Sequence, residues 1–154
     1  MDVRNRLVRA LGMGVVVVLA IAGTACDSIT DPADEVRRLG YIGRDADAQV
    51  VIPDTVQAGV EFVVEVTTYG SPCVRKGETE VQYAADTVTI TPYDYVDTTP
   101  NCFSIGVSFV HRATVEFSEP GLASVVIVGR DHPYEDEAAE VIREVVVVED
   151  QASS

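Results

Sequence analysis

Strict alternation of apolar and polar residues from residue 48 onward is the feature that most constrains the fold. The stretch "VEFVVEVTTY" places four apolar side chains on one face of an extended chain, namely Val60, Phe62, Val64 and Val66. A period of two is that of a β-strand with one buried face. "TEVQYA", "DTVTITP" and "ATVEF" repeat the alternation, and "AQVVIP", "LASVVIVG" and "VIREVVVVE" add Val-rich runs that suit strands. These segments predict an all-β domain.

About seven short strands separated by turn signals within roughly 100 residues favour an immunoglobulin-like antiparallel β-sandwich. A small antiparallel barrel fits the same pattern. "IPDTVQAGVEFVVEVTT" and "EPGLASVVIVGR" also resemble bacterial immunoglobulin-like domains of cell-envelope proteins. That resemblance implies a sandwich and does not imply a particular activity, because one fold hosts many functions.

The N-terminus has the organisation of a secretory signal peptide. Arg4, Arg6 and Arg9 precede an uninterrupted apolar run over residues 10–22, and small residues follow it. A basic start, a short apolar stretch and a small-residue exit are typical of exported chains. The run is shorter than the roughly 20 residues that a transmembrane helix needs. We therefore expect a signal-peptide helix over residues 1–25.

Cys26 ends the small-residue stretch "AGTAC". This stretch resembles the lipobox of bacterial lipoproteins, which implies that diacylglycerol is attached to the Cys26 sulfur and that the chain is cut just before it. The protein would then be anchored by lipid to a bacterial membrane, on its periplasmic side or at the cell surface. Ordinary signal-peptidase cleavage after "GTA" and a reactive exported thiol are the alternatives.

The remaining chain divides into three predicted parts. Residues 26–47 have mixed charges, Gly, Pro and no sustained period, which indicates a flexible linker; "DPADEVRRL" within it could form a short helix. Residues 48–150 form the sandwich, and residues 151–154 are a disordered tail.

Cys73 and Cys102 are the two other cysteines. With Cys26 lipidated they form an even pair in an oxidising compartment, which predicts a disulfide. The bridge would pin two loops at one end of the sandwich. A metal site and free thiols are the alternatives, although a metal site needs more His or Cys than this region offers.

The loop "TPYDYVDTTPNC" is the candidate recognition surface, since Tyr provides a large contact area at low entropic cost. Its candidate residues are Tyr93, Asp94, Tyr95 and Asp97. The competing interpretation is that these aromatic side chains cover the end of the sandwich.

The two histidines offer little chemistry. His111 begins a strand and is expected at the surface or rim. His132 lies in an acidic loop whose oxygen ligands could hold a divalent cation; the candidate residues are Asp131, His132, Glu135, Asp136 and Glu137. A solvated charge run is the favoured interpretation of this loop.

A formal net charge of −14 argues against nucleic acid as a partner, because binding it depends on Lys and Arg. No nucleophile elbow or phosphate loop is present in the sequence. We therefore predict a non-catalytic binding or structural protein without a cofactor, anchored to the membrane and contacting an envelope protein or glycan. An inhibitor of exported proteases and a cation-binding envelope protein are the alternatives.

Overall fold

The described part of the chain is built of β-strands, which confirms the all-β prediction. The computed structural model describes residues 35–43, 49–98 and 105–149. Within them lie nine strands and no α-helix. The strands are β1 (Glu35–Leu39), β2 (Val50–Val51), β3 (Thr55–Gln57), β4 (Phe62–Gly70), β5 (Val74–Ala84), β6 (Thr87–Asp97), β7 (Val107–Val115), β8 (Gly121–Arg130) and β9 (Ala138–Val148). The predicted signal peptide, Cys26 and the C-terminal tail 151–154 lie outside the described residues.

The strands form two sheets. The larger sheet has six strands in the order β1-β6-β8-β9-β3, with β5 pairing along the other edge of β6. β8 pairs with residues 87–90 of β6, and β1 pairs with residues 93–97 of the same strand, so β8 and β1 follow one another along one edge. The smaller sheet has three strands in the order β2-β4-β7.

Two strand pairs are parallel, and they distinguish this topology from the predicted one. β6 pairs with β8 and β3 pairs with β9 in parallel register, while the other named pairs are antiparallel. An immunoglobulin fold consists of two antiparallel sheets of about seven strands. The structure therefore supports a two-sheet all-β architecture, and the immunoglobulin-like assignment remains a prediction.

At Pro53 the chain passes from the smaller sheet to the larger one. β2 pairs with β4 in the smaller sheet, whereas β3, only a few residues later, pairs with β9 in the larger one. Pro53 lies between them and has no N–H to continue a ladder, so the pairing of β2 stops before it. The predicted end of the first strand at Pro53 is confirmed, and the strand after it joins the opposite sheet.

The inward faces of both sheets contribute to one apolar core. Most of the predicted inward residues are buried, among them Val64, Val66, Val88, Ile90, Ala113, Val115 and Phe117. Val125, Ile127 and Val145 complete it from β8 and β9. Val60 and Tyr83, which were expected on inner faces, are 45% and 54% exposed. Val60 precedes the first residue of β4, and Tyr83 is close to the end of β5.

The linker prediction is wrong for residues 35–43, and so is the short helix proposed there. β1 (Glu35–Leu39) pairs with β6, and Ile42 is fully buried in the core. Backbone bonds hold the segment between the sheets: Ile42 N donates to Arg130 O of the larger sheet at 2.9 Å, and Tyr69 N of the smaller sheet donates to Tyr41 O at 2.8 Å. Tertiary pairing therefore overrides a composition that looks like a linker. Residues 26–34 and 44–47 lie outside the described residues.

Side chains join the neighbouring edges of the two sheets at β5 and β7. The Lys76 ammonium donates to the carbonyl of Val110 at 2.7 Å, and the Glu116 backbone N–H donates to the hydroxyl of Tyr83 at 3.3 Å. Because a free strand edge is a template for unwanted pairing, such contacts protect both edges.

Candidate functional site

A buried polar cluster connects the two sheets. We define the Asp94–His111 cluster as Thr68 of β4, Thr79 of β5, Asp94 of β6 and His111 of β7. The side chains of His111 and Asp94 are 0% and 1% exposed. His111 Nε2 lies 3.2 Å from Asp94 Oδ1 and 3.2 Å from Thr68 Oγ1, and its Nδ1 lies 3.0 Å from Thr79 Oγ1. Four strands therefore meet at one imidazole.

The donors in this cluster follow from the acceptor chemistry of the carboxylate. An ionised Asp94 can only accept, so Nε2 of His111 carries the proton that bonds it. The other ring nitrogen then hydrogen bonds with the Thr79 hydroxyl. Since a buried charge is tolerated only when it is paired and hydrogen bonded, His111 is what allows a carboxylate to lie between the sheets.

The prediction that His111 lies at the surface or rim is wrong. In "FVHRATVEF" His111 stands two residues before Ala113 and four before Val115, both of which are buried. The same period of two that identified those core positions also points His111 inward. The polar residue type of His111 suggests exposure, whereas its place in the alternating pattern correctly indicates burial.

The second carboxylate oxygen of Asp94 faces the backbone of Gly40. Asp94 Oδ2 is buried and finds no hydrogen-bond partner among the described residues. A Cβ on Gly40 would lie 3.2 Å from this oxygen and 2.4 Å from Thr68 Cγ2. The close approach of the chain between the two sheets therefore depends on glycine at position 40.

Tyr93 and Tyr95 belong to strand β6, so the prediction of a long recognition loop is wrong for residues 93–97. Both rings are covered from within the chain. The Arg37 guanidinium carbon lies 3.4 Å from the centroid of Tyr93, and that of Arg75 lies 4.2 Å from the centroid of Tyr95. These are cation–π contacts, and each occupies one face of its ring.

Ion pairs extend this arrangement over β1, β5 and β6. Arg37 pairs with Glu78 and Glu80, and Arg75 bonds both oxygens of Glu35 at 2.6–3.1 Å. The hydrogen bonds from Arg75 hold the pKa of Glu35 below its ordinary value. We call these three pairs, with the two stacked rings, the Arg–Tyr network. Each of its two guanidinium groups is paired with carboxylates of the chain.

The other two candidate residues of the predicted loop are also engaged. Asp94 points inward into the buried cluster described above. The backbone N–H of Asp97 donates to the carbonyl of Cys73 at 2.8 Å. These positions therefore hold the sheet together in the structure.

Arg130 organises the acidic loop 131–137. Its guanidinium donates to the carbonyls of Leu39 at 2.7 Å, Pro133 at 3.0 Å and Glu135 at 3.4 Å. Burial lowers the pKa of Arg130. A protein cation therefore already gathers the loop's carbonyl oxygens, which are groups that a hard metal ion would use.

The acidic side chains of this loop point to separate neighbours. Glu135 Oε1 lies 3.7 Å from Nδ1 of His132, and Asp136 Oδ1 lies 3.7 Å from Nε of Arg38. Over the described ranges, no three His, Cys, Asp or Glu side chains are grouped to hold a metal ion. The candidate cation site predicted here, including Asp131 and Glu137, is not assembled.

Cys73 lies between β4 and β5, at the same end of the larger sheet as Glu35 and Asp97. Its backbone N–H donates to Ser71 Oγ at 3.4 Å and its carbonyl accepts from Asp97. Cys102 lies outside the described residues. The disulfide between Cys73 and Cys102 stays a prediction.

The functional inference rests on the residues of this chain alone. In the described part of the chain, no helix is both long enough and apolar enough to cross a membrane. A scan against protein-family models and searches of curated proteins and of solved structures found no match.

Proposed function

We propose that this protein is an exported bacterial lipoprotein whose non-catalytic β-domain acts in binding or structure at the cell envelope. One observation carries the proposal: three Arg within residues 1–9, an apolar run over residues 10–22 and the stretch "AGTAC" ending at Cys26. That order is typical of export followed by lipidation. Two or more acyl chains on Cys26 hold a soluble domain at a bilayer durably, whereas one chain binds it only marginally.

The start of β1 sets how far the domain reaches from the membrane. β1 begins at Glu35, so the tether consists of residues 26–34. Even at full extension a tether of this length spans only about 30 Å. The domain therefore stays beside the bilayer.

Burial and pairing of the titratable groups support a non-catalytic role. The His111–Asp94 pair is excluded from solvent, and a catalytic acid–base pair must reach its substrate. The Arg side chains of the Arg–Tyr network are likewise paired within the chain. Both arrangements stiffen a two-sheet scaffold, which is the property that a binding or structural domain needs.

The immunoglobulin-like relationship and the disulfide belong to the same proposal. A single core shared by two sheets supports a sandwich, although the parallel β6–β8 pair departs from the antiparallel immunoglobulin pattern. Cys102 follows Thr98 by four residues, and Cys73 bonds the neighbouring Asp97. A bridge between Cys73 and Cys102 would close a loop of about thirty residues, for a stabilisation of about 3–4 kcal/mol.

Fractionation of a bacterial host that expresses the full chain tests the proposal. We expect the protein in the membrane fraction, labelled by a radioactive fatty acid. Cys26→Ser removes the acylated sulfur, so we expect loss of label and release from the membrane. Cys73→Ser is the matched control and should keep both label and location. Membrane association of the Cys26→Ser chain, or an unlabelled wild-type chain, would contradict the proposal.

A further inference from the structure

The outward face of the β8–β9 hairpin is both apolar and acidic. Its apolar side chains are exposed: Leu122 58%, Ile142 59%, Val146 48% and Val148 40%. Exposed apolar side chains gathered on one face can mark an interaction site. We define the acid–apolar face as Leu122, Val126, Glu140, Ile142, Glu144 and Val146.

The strand register arranges these residues in alternating rows. Leu122 lies opposite Val146, and Val126 lies opposite Ile142. Between and beyond these apolar rows, Glu144 is paired with Ser124 and Glu140 with Val128. Rows on one face of a strand repeat every two residues, or about 6.8 Å. The face therefore alternates apolar and anionic rows at that spacing.

Some outward acids elsewhere have cations across from them, whereas, in the described part of the chain, Glu140 and Glu144 do not. Glu65 pairs with Arg112 at 2.7 Å across β4 and β7, and Glu35 pairs with Arg75 in the Arg–Tyr network. Within the described ranges, no ion pair involves Glu140 or Glu144.

The Lys and Arg side chains of the described residues all have other partners. Each Lys or Arg of the described residues is already engaged: Arg37, Arg38, Arg75 and Arg112 with carboxylates, Lys76 and Arg130 with backbone carbonyls, and Arg143 with a further partner. The described part of the chain therefore supplies no cation to the acid–apolar face.

We propose that the acid–apolar face docks a protein segment that presents Lys or Arg and aliphatic side chains in alternation, a role that rests on the proposed binding function and not on lipidation of Cys26. Charge complementarity selects this occupant, because Glu140 and Glu144 lack cations while Ile142 and Val146 lack apolar cover. A second copy of the chain fits poorly, since it brings the same acids and a net charge of −14.

A fluorescent peptide of three Lys-Thr-Val-Thr repeats serves as the probe. Extended, it places Lys and Val alternately on one face at the spacing of the rows. The protein is used as purified from cells, in zwitterionic nanodiscs if it is lipidated, and binding is measured by fluorescence anisotropy. A peptide with Glu in place of Lys is the charge control.

Paired variants locate the binding. Glu140→Gln with Glu144→Gln should weaken binding about twofold to thirtyfold, because two exposed ion pairs are lost together. Ile142→Ser should weaken it further by removing apolar contact.

Matched controls lie on other surfaces. Glu61→Gln with Glu116→Gln removes the same charge from acids that are also exposed and lack an ion pair among the described residues. Val63→Ser removes a side chain that is 48% exposed. These variants should leave binding within a factor of two.

Three results would overturn the proposal. They are no binding of the Lys peptide to the wild-type protein, equal weakening by the control variants, and self-association that Ile142→Ser abolishes. The first two remove the site, and the third assigns the face to a second copy. Membrane release of the Cys26→Ser chain is unaffected by any of them, so this proposal and the anchoring proposal fail separately.

Discussion

Replacing His111 by Leu should destabilise the fold more than replacing its partner Asp94 by Asn. The substitution removes the donor to Asp94 Oδ1, whose other oxygen already has no partner among the described residues. A carboxylate that is 1% exposed is then left uncompensated between the sheets. Breaking a buried pair in this way costs about 3–5 kcal/mol, a large part of the about 5–15 kcal/mol that stabilises a typical domain.

Asp94→Asn is the informative comparison. The amide oxygen still accepts from His111 Nε2 and no charge is buried, so we expect a cost of about 1 kcal/mol or less. The double variant His111→Leu with Asp94→Leu should cost less than His111→Leu alone, because apolar side chains replace both members of the pair.

Urea unfolding at 25 °C measures these free energies. Circular dichroism and tyrosine fluorescence follow the transition, since the chain has six Tyr and no Trp. The double-mutant cycle of His111→Leu, Asp94→Leu and their double variant isolates the coupling between positions 94 and 111. A cost for His111→Leu below that of Asp94→Asn, or a double variant equal to the sum of the singles, would refute the reasoning.

Two further predictions concern Gly40 and Glu35. Gly40→Ala should lower the free energy of unfolding by about 1–3 kcal/mol, because the added Cβ overpacks against Thr68. Gly106→Ala is the control and should change this free energy little, because nothing lies within 4 Å of the added Cβ. Equal urea midpoints for the two variants would contradict this prediction. Arg75→Ala should raise the pKa of Glu35 to its ordinary value, followed by NMR titration of the carboxyl carbon. The stability from this pair is present at neutral pH and is lost as pH falls through the lowered pKa of Glu35. The stability of the Arg75→Ala variant should therefore not contain this pH-dependent contribution. An unchanged pKa of Glu35 in the variant would refute the assignment.

Periodicity was enough to predict the fold class and most of the core. Val64 and Val66, or Val88 and Ile90, are buried because alternate residues of a strand share a face. The same rule predicts an inward position for His111. The expectation that its polar side chain would be exposed is therefore wrong.

Pairing between distant strands could not be predicted. Nothing in "EVRRL" (residues 35–39) identifies β6 as its partner, and its strand character comes from that pairing. The parallel β6–β8 pair also joins segments that are distant in the sequence. The order of strands in the larger sheet therefore could not be predicted. Tyr93 and Tyr95 read as a loop because turn-forming residues surround them, while Arg37 and Arg75 bind their rings from other strands.

The most direct test of the central claim is the intact mass of the protein isolated from bacterial membranes. The account predicts a chain that begins at Cys26, carries diacylglycerol on its sulfur, and has two hydrogens fewer than the reduced form because Cys73 and Cys102 are joined. A chain that begins elsewhere, or one without acyl groups on Cys26, would contradict it.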